Sequence, residues 1–470
     1  MQLSLRQKAA FGIGAVGKDM VYALSANYVM YYYQDLLGID AGFVGIVLMA
    51  ARFFDAANDP LMGVLVAKTR TRFGRFCPWL VSGTVLNAFV LYALFNAPNL
   101  SGAGLMVFFP IIYVLWGVTY TMMDIPYWSM IPAITTTPKD TEHLSVIGRT
   151  CAGFGSAIVQ VLTVVAVQAL GAGNERRGFG IFALIVAVFF VVSELLCASN
   201  VRERPDSSME TQTVKGMFRS LFQNDQALVV VLSIVLIDTA LYITSNLVIY
   251  FFKYDFGGTS WSGAYTLFTM VGGVSQILGM MVLYPLLRKK LDNTVIFRFC
   301  LLLAIGGYVI LLLLCMAFGL AHSIPALLVP GILIFAANGM LSVLTTVFLS
   351  NSVDYGQIRT GHREESVIFS MQTFVVKASS GIAVAIAGLG LKLIGLHGNN
   401  ATDEVQQAAQ SASTLTGLRL LMTIIPMAVL FVALVVFQKK FKLTDDVVRE
   451  NVEKVAAINA ARENKAEQQG

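Results

Sequence analysis

The chain has 470 residues, of which 56% are hydrophobic and 13% charged, against roughly a quarter charged in ordinary soluble domains. A mean hydropathy of +0.70 over the whole length excludes a soluble enzyme and a single membrane anchor, and predicts a polytopic membrane protein. At about 20 residues per span, the length accommodates about twelve helices and no large soluble domain.

Apolar runs of span length predict helices near residues 9–34, 42–66, 78–97, 103–134, 145–171 and 178–200, and then near 227–252, 261–287, 294–318, 324–350, 366–396 and 414–437. A polar stretch, VRERPDSSMETQTVKGMFRSLFQNDQ, separates the two sets of six. The expected fold is an all-α polytopic membrane protein of about twelve transmembrane helices in two pseudo-symmetric six-helix bundles. The expected divisions are an N-terminal bundle over 1–200, a cytoplasmic central loop over 201–226, a C-terminal bundle over 227–437 and a cytoplasmic tail over 438–470. A weak internal repeat supports the two halves: the basic turn KTRTRFGRF follows the second run and RKKLDN follows the eighth. The polar start, with Lys18 and Asp19 inside the first apolar run, predicts no cleaved signal peptide.

Lys and Arg in short loops set the orientation. Arg6, Lys8, Lys68, Arg70, Arg72, Arg75, Arg202, Arg204, Lys215, Arg219, Arg288, Lys289, Lys290, Arg359, Arg363, Lys439, Lys440 and Lys442 fall on one side, which is expected to be cytoplasmic together with both termini. The opposite loops offer Arg176, Arg177, Lys253 and Lys392. The formal net charge of +5 is therefore read as topology, and no nucleic-acid partner is expected. The five cysteines have no C-x-x-C spacing and read as buried small hydrophobes without disulfides. From Thr444 the tail reads as a short amphipathic helix, with Val448, Val452 and Val455 on one face, and is expected to be solvated.

Ionisable groups inside spans are costly and mark function by default. The first half carries Lys18, Asp19, Arg52, Asp55, Asp59, Asp124 and Arg149; the second carries Asp238 and Lys377. In ARFFDAANDP, Asp55 and Asp59 stack four apart on one helical face, with the Asn58 amide beside them, and Pro60 frees the carbonyl of Ala56. Such oxygens suit a small hard cation, or a proton in its place. The alternative is that Arg52 simply pairs with Asp55. In WGVTYTMMDIPYW, Tyr120, Thr121, Asp124 and Trp128 form a stripe of hydroxyls, carboxylate and indole. A carboxylate with an aromatic plate holds a pyranose by hydrogen bonds and stacking. Asp19 offers a second acceptor, and Lys18 and Arg149 offer donors; the alternative is an aromatic helix interface with Asp124 paired to Arg149. Lys377 is a lone cation whose natural partner is the carboxylate pair, and the role of Asp238 stays open.

No H-E-x-x-H, G-x-S-x-G or Walker motif is present, and the four histidines fall in or near expected loops, so neither an enzyme nor an ATP-driven pump is expected. Carboxylates within one half of a duplicated bundle fit ion-coupled alternating access better than a channel.

The chain resembles the glycoside–pentoside–hexuronide:cation symporters of the major facilitator superfamily, and most closely the melibiose carriers. The blocks are GAVGKD (14–19), YVMYYYQDLLGI (28–39), ARFFDAANDPLMG (51–63), TRTRFGRFCPW (69–79), WGVTYTMMDIPYWS (116–129), NDQ (224–226), VDYG (353–356) and MQTFVVK (371–377). The resemblance implies a cation site at Asp55, Asn58, Asp59 and Thr121. It also implies that Lys18, Asp19, Tyr120, Asp124, Trp128, Arg149 and Lys377 bind sugar or couple it to the cation, with Gln372 and Thr373 lining the same cavity. Ser342 stands where those carriers present a second tryptophan, Asp238 where they carry an amide, and Thr141 and Asn351 where they place charged gate residues. The expected function is symport of a galactoside such as melibiose, or a related glycoside, with Na⁺, Li⁺ or H⁺. No cofactor beyond that coupling ion is expected, and the chain is expected to act as a monomer in the bacterial inner membrane. The rivals are a symporter of another substrate (glucuronide, pentoside or lipid), a drug carrier, and a membrane sensor that has lost transport.

Overall fold

The computed structural model describes residues 4–100, 102–134, 138–201, 222–258, 260–360, 365–396, 410–451, 453–455 and 457. Among them are twelve long helices: α1 (Leu5–Tyr31), α2 (Ala41–Lys68), α3 (Cys77–Leu94), α4 (Gly102–Ile134), α5 (Pro138–Gly171), α6 (Glu175–Asn200), α7 (Asp225–Phe256), α8 (Trp261–Arg288), α9 (Asn293–Met316), α10 (Ile324–Thr360), α11 (Glu365–Leu393) and α12 (Ala412–Lys440). Eleven are long and apolar enough to cross a membrane; α1, which carries Lys18 and Asp19 midway, is the twelfth. The loop residues Arg202, Arg204, Lys215, Arg219, His362, Arg363 and His397 lie outside the described residues.

Local chemistry sets the helix starts. Ser4 and Gln7 form a reciprocal capping box on α1, and Asp40, Asn174 and Asn224 accept from backbone N–H groups of the first turns of α2, α6 and α7. Each cap satisfies a donor that the helix itself leaves orphaned. The basic turn after α2 is a built structure. Thr71 accepts from the Phe73 N–H and donates to the Gly74 carbonyl, Gly74 takes φ +88°, and Trp79 Nε1 donates to Thr69 Oγ1 at 2.8 Å.

Two compact units form, and they interleave along the chain. The first comprises Met1–Thr211, Phe252–Thr269 and Val384–Leu415; the second comprises Gln212–Phe251, Met270–Ala383 and Thr416–Gly470. In the first, α6 packs on α1, α3 and α5, and α4 packs on α2 and α3. In the second, the core gathers α7, α9, α10 and α12 around a Phe297, Phe348, Phe437 and Phe441 cluster, with Asn224 Nδ2 donating to the Ser352 carbonyl at 2.7 Å.

All five cysteines are free. The tail differs from the solvated helix expected: Leu443, Asn451 and Val455 are buried, and Asp445 meets Arg288 at 2.6 Å. Burying Leu443 and Val455 contributes about 1.5–3 kcal/mol each towards holding this end in place. The Val452 side chain lies outside the described residues.

Candidate functional site

The first unit gathers Lys18, Asp19, Asp124 and Arg149, and Arg52, Asp55 and Asp59, into two adjoining groups along α4. The first is centred on Lys18, which α1 holds at 3% exposure. Its Nζ donates to Asp124 Oδ1 at 2.7 Å and to the Tyr120 hydroxyl at 3.2 Å, and lies 3.1 Å from Asp19 Oδ2. Trp128, one turn beyond Asp124, donates its indole N–H to the same Oδ1 at 3.1 Å. The ammonium also sits 4.9 Å from the centroid of the Trp128 ring, and the Arg149 guanidinium lies 4.6 Å from that centroid. Trp116 stacks on Tyr120 at 5.3 Å and continues the aromatic wall.

Charge-assisted hydrogen bonds of this length hold the carboxylate and ammonium in place. Aromatic faces reinforce the cation's position. Asp124, Asp19 and Lys18 together supply acceptors and a donor beside an indole, the combination a sugar ring needs. The alternative pairing of Asp124 with Arg149 gives way here to the close Lys18 contact, with Arg149 resting on the indole.

The second group is built from α2 against α4. Thr121 Oγ1 donates to Asp59 Oδ1 at 3.1 Å, so the two helices meet where the carboxylate pair lies. Asp55 is buried one turn earlier, and Asn58 is half-buried. Gly117 permits this approach: a Cβ there would come within 2.2 Å of Asp55 Oδ1. Arg52 reaches Asp55 only at 3.9 Å and lies over the rings of Tyr22 and Trp116 at 5.3 and 5.9 Å, so its charge is shared with aromatic faces. Among the described residues no cluster of three or more His, Cys, Asp or Glu forms a metal centre. The oxygens here come from two carboxylates, an amide and a hydroxyl. Thr121 and Asp124 are less than one turn apart on α4, which places the two groups side by side.

Gln372, Thr373 and Lys377 are on α11 within the second unit, where the Thr373 side chain lies outside the described residues. Asp238 is half-buried on α7, also in the second unit. Ser342 Oγ donates to the Gly339 carbonyl at 2.8 Å. The Thr141 side chain lies outside the described residues, and Asn351 is half-buried on α10.

Sequence reasoning passed over two features. Glu194, deep in α6, is 1% exposed in a span of mean hydropathy 2.7; the cost of an ionisable group in such a span was the signal that could have found it. The other is a buried ionic knot at the end of α1. Lys253, expected as a loop cation, is buried and donates to Asp35 Oδ2 and to the Tyr31 hydroxyl, both at 2.6 Å. Tyr31 donates to Glu175 Oε2 at 2.6 Å, and Tyr254 donates to the other Asp35 oxygen. Every partner in the knot belongs to the first unit.

A family profile described as MFS/sugar transport protein matches residues 10–445. This chain belongs to that family. It is a multi-pass membrane transporter of the major facilitator superfamily, and not an enzyme. The transporter is 26% identical over 456 residues to the inner membrane symporter YicJ of Escherichia coli (strain K12), covering 97% of this chain and 95% of that one. It is 26% identical over 461 residues to the raffinose carrier protein of Pediococcus pentosaceus, covering 93% of this chain and 69% of that one. Among solved structures, a bacterial homologue of the human lysosomal transporter Spinster, inward-facing and unoccupied, aligns with a TM-score of 0.61. At 14% identity, covering 93% of this chain and 97% of that one, that likeness speaks for the fold alone.

Proposed function

We propose that the transporter is a cation-coupled sugar symporter that imports a galactoside such as melibiose, or a related glycoside, with Na⁺, Li⁺ or H⁺. The observation that carries this reading is the Lys18–Asp124 pair under the Trp128 indole, with the Asp59–Thr121 contact less than a turn away on α4. Sugar hydroxyls need both donors and acceptors beside an apolar plate, and a bare cation needs several oxygens. The names of relatives, a raffinose carrier and a symporter, support the substrate class and the coupled mode.

In this reading Asp124, Asp19, Lys18, Tyr120, Trp128 and Arg149 hold the sugar, and Asp55, Asn58, Asp59 and Thr121 hold the cation. Gln372, Thr373 and Lys377 are assigned to substrate handling by their place in MQTFVVK. A cation between Asp55 and Asp59 offsets negative charge next to the sugar acceptors, so each ligand raises the affinity for the other by the same factor. Doubly loaded and empty states then exchange between the two faces of the membrane, and singly loaded states exchange poorly. The basic loops support an orientation in the inner membrane with both termini cytoplasmic, and the chain needs no second copy to complete these groups.

Uptake of labelled melibiose and raffinose into proteoliposomes, under an imposed Na⁺, Li⁺ or pH gradient, tests the proposal. Accumulation above the equilibrium level with at least one gradient is expected. Entry of neither sugar under any gradient would overturn the substrate class, and entry without accumulation would leave a uniporter.

A further inference from the structure

Glu194 has no part in either group described above. Its side chain is buried on α6, and neither carboxyl oxygen has a hydrogen-bond partner among the described residues. The backbone around it is packed tightly on α1: a Cβ at Gly17 would lie 1.9 Å from Ser193 Oγ, and one at Gly14 would lie 3.1 Å from Cys197 Cβ. Glu194 therefore follows Ser193 at the seam between α6 and α1, beside the stretch of α1 that carries Lys18. An ionised carboxylate buried without a hydrogen bond is among the costliest groups a protein can hold, and the usual escape is to take up a proton.

The surroundings point the same way. The charged groups acting on Glu194 are Lys18 and Asp19 from α1 and Asp124 from α4. Tyr127 from α4 and Cys197 from its own helix are the uncharged titratable groups coupled to it. From the other helices packed on α6, Cys151 of α5 and Cys77 of α3 are the titratable groups in this neighbourhood. Arg149 of α5 is exposed, beyond the Trp128 indole. Lys18 is committed to Asp124 and Asp19, so this trio already carries one net negative charge. A third carboxylate beside it would have no cation left to balance it.

We propose that Glu194 is a proton-binding site, a neutral carboxylic acid in the resting protein whose proton occupancy is linked to the sugar site through the Lys18–Asp19–Asp124 trio. Protonation forms an O–H bond on one Glu194 oxygen and breaks an O–H bond of the hydronium ion that gives the proton, leaving water. A sugar seated on Asp19 and Asp124 displaces water that screens their charge. The net negative trio then acts more strongly on Glu194, and the acid holds its proton more tightly. At a pH high enough for part of the Glu194 population to be ionised, sugar binding is therefore accompanied by proton uptake, and Glu194 supplies a route for proton coupling separate from Asp55 and Asp59. The link to sugar rests on the proposed function; the neutral acid does not.

The two parts are tested separately on the purified full-length protein. Infrared difference spectra across a pH titration, without sugar, compare the wild type with Glu194→Gln and Glu194→Asp. A protonated-carboxyl carbonyl band is expected in the wild type at neutral pH, absent in Glu194→Gln and displaced in Glu194→Asp. Spectra identical in the wild type and Glu194→Gln would overturn the proton site whatever the sugar experiments give. If Glu194→Gln does not fold, the wild-type band and its displacement in Glu194→Asp decide.

The second measurement adds melibiose or raffinose to protein in weak buffer with a pH-indicator dye, at the pH where the infrared titration shows the Glu194 band half lost. The wild type is expected to take up protons, and Glu194→Gln about tenfold fewer, with sugar affinity at low pH within about threefold of wild type, because the amide imitates the neutral acid. Equal uptake in both proteins would overturn the linkage. Absence of sugar binding in the wild type would count against the substrate assignment alone, and the infrared band would still decide Glu194.

Discussion

Lys18 and Asp124 are 106 positions apart in the chain, yet the ammonium and carboxylate lie 2.7 Å from each other inside the first unit. The Trp128 indole donates to the same carboxylate oxygen. One oxygen thus gathers a charge and an aromatic plate, and α4 continues from there to Thr121 and Asp59. If the proposed function holds, several consequences can be measured.

Asp124→Asn should weaken sugar binding by tenfold or more, because loss of a charge-assisted hydrogen bond removes about 1.5–3 kcal/mol. Asp59→Cys should leave sugar binding within about threefold while abolishing its dependence on the cation, since it removes an oxygen ligand outside the sugar stripe. Calorimetry on both variants, with and without Na⁺, reads this directly. Equal losses of sugar affinity would mean that the two groups are not separate sites.

Thr121→Ala should lower cation affinity by about fivefold, in line with one hydrogen bond of about 1 kcal/mol. Gly117→Ala should act more strongly, because its Cβ would enter the space of Asp55 Oδ1 and overpacking costs about 1–3 kcal/mol. Cation-dependent thermal shifts check both. A Gly117→Ala protein with wild-type stability and cation response would show that α2 and α4 are not in tight contact there.

Lys253→Met should destabilise the protein by about 3–5 kcal/mol, the usual cost of leaving a buried charge unpaired. Asp35→Asn paired with Lys253→Met should recover part of the loss, because both ionised partners are then gone. Thermal unfolding in detergent of the single and double variants reads the coupling. Additive losses would mean that the knot acts as independent contacts.

Leu443→Asp should free the tail helix and speed its removal by limited proteolysis, whereas Arg288→Ala should have a small effect. The first places a charge in a buried apolar position, and the second removes a partly exposed ion pair worth about 0.2–1 kcal/mol. Equal protease resistance of Leu443→Asp and wild type would show that the tail is not held by its apolar face.

The amino-acid sequence by itself determined the number of spans and the residue sets that share a helical face. Hydropathy over a window of span length fixes which segments leave water, and the helical period fixes that Asp55 and Asp59, or Asp124 and Trp128, stand one turn apart. Both are properties of a single segment. Which groups meet across segments was decided only by the tertiary structure, because that depends on where small side chains let helices close. Gly17 against Ser193 brings α6, and with it Glu194, against the stretch of α1 that carries Lys18, and Gly117 against Asp55 brings α2 to α4. Lys253 is the clearest case: its flanking sequence reads as a loop cation. It becomes a buried partner of Asp35 only because Phe252–Thr269 belongs to the same compact unit as α1, far away in the chain.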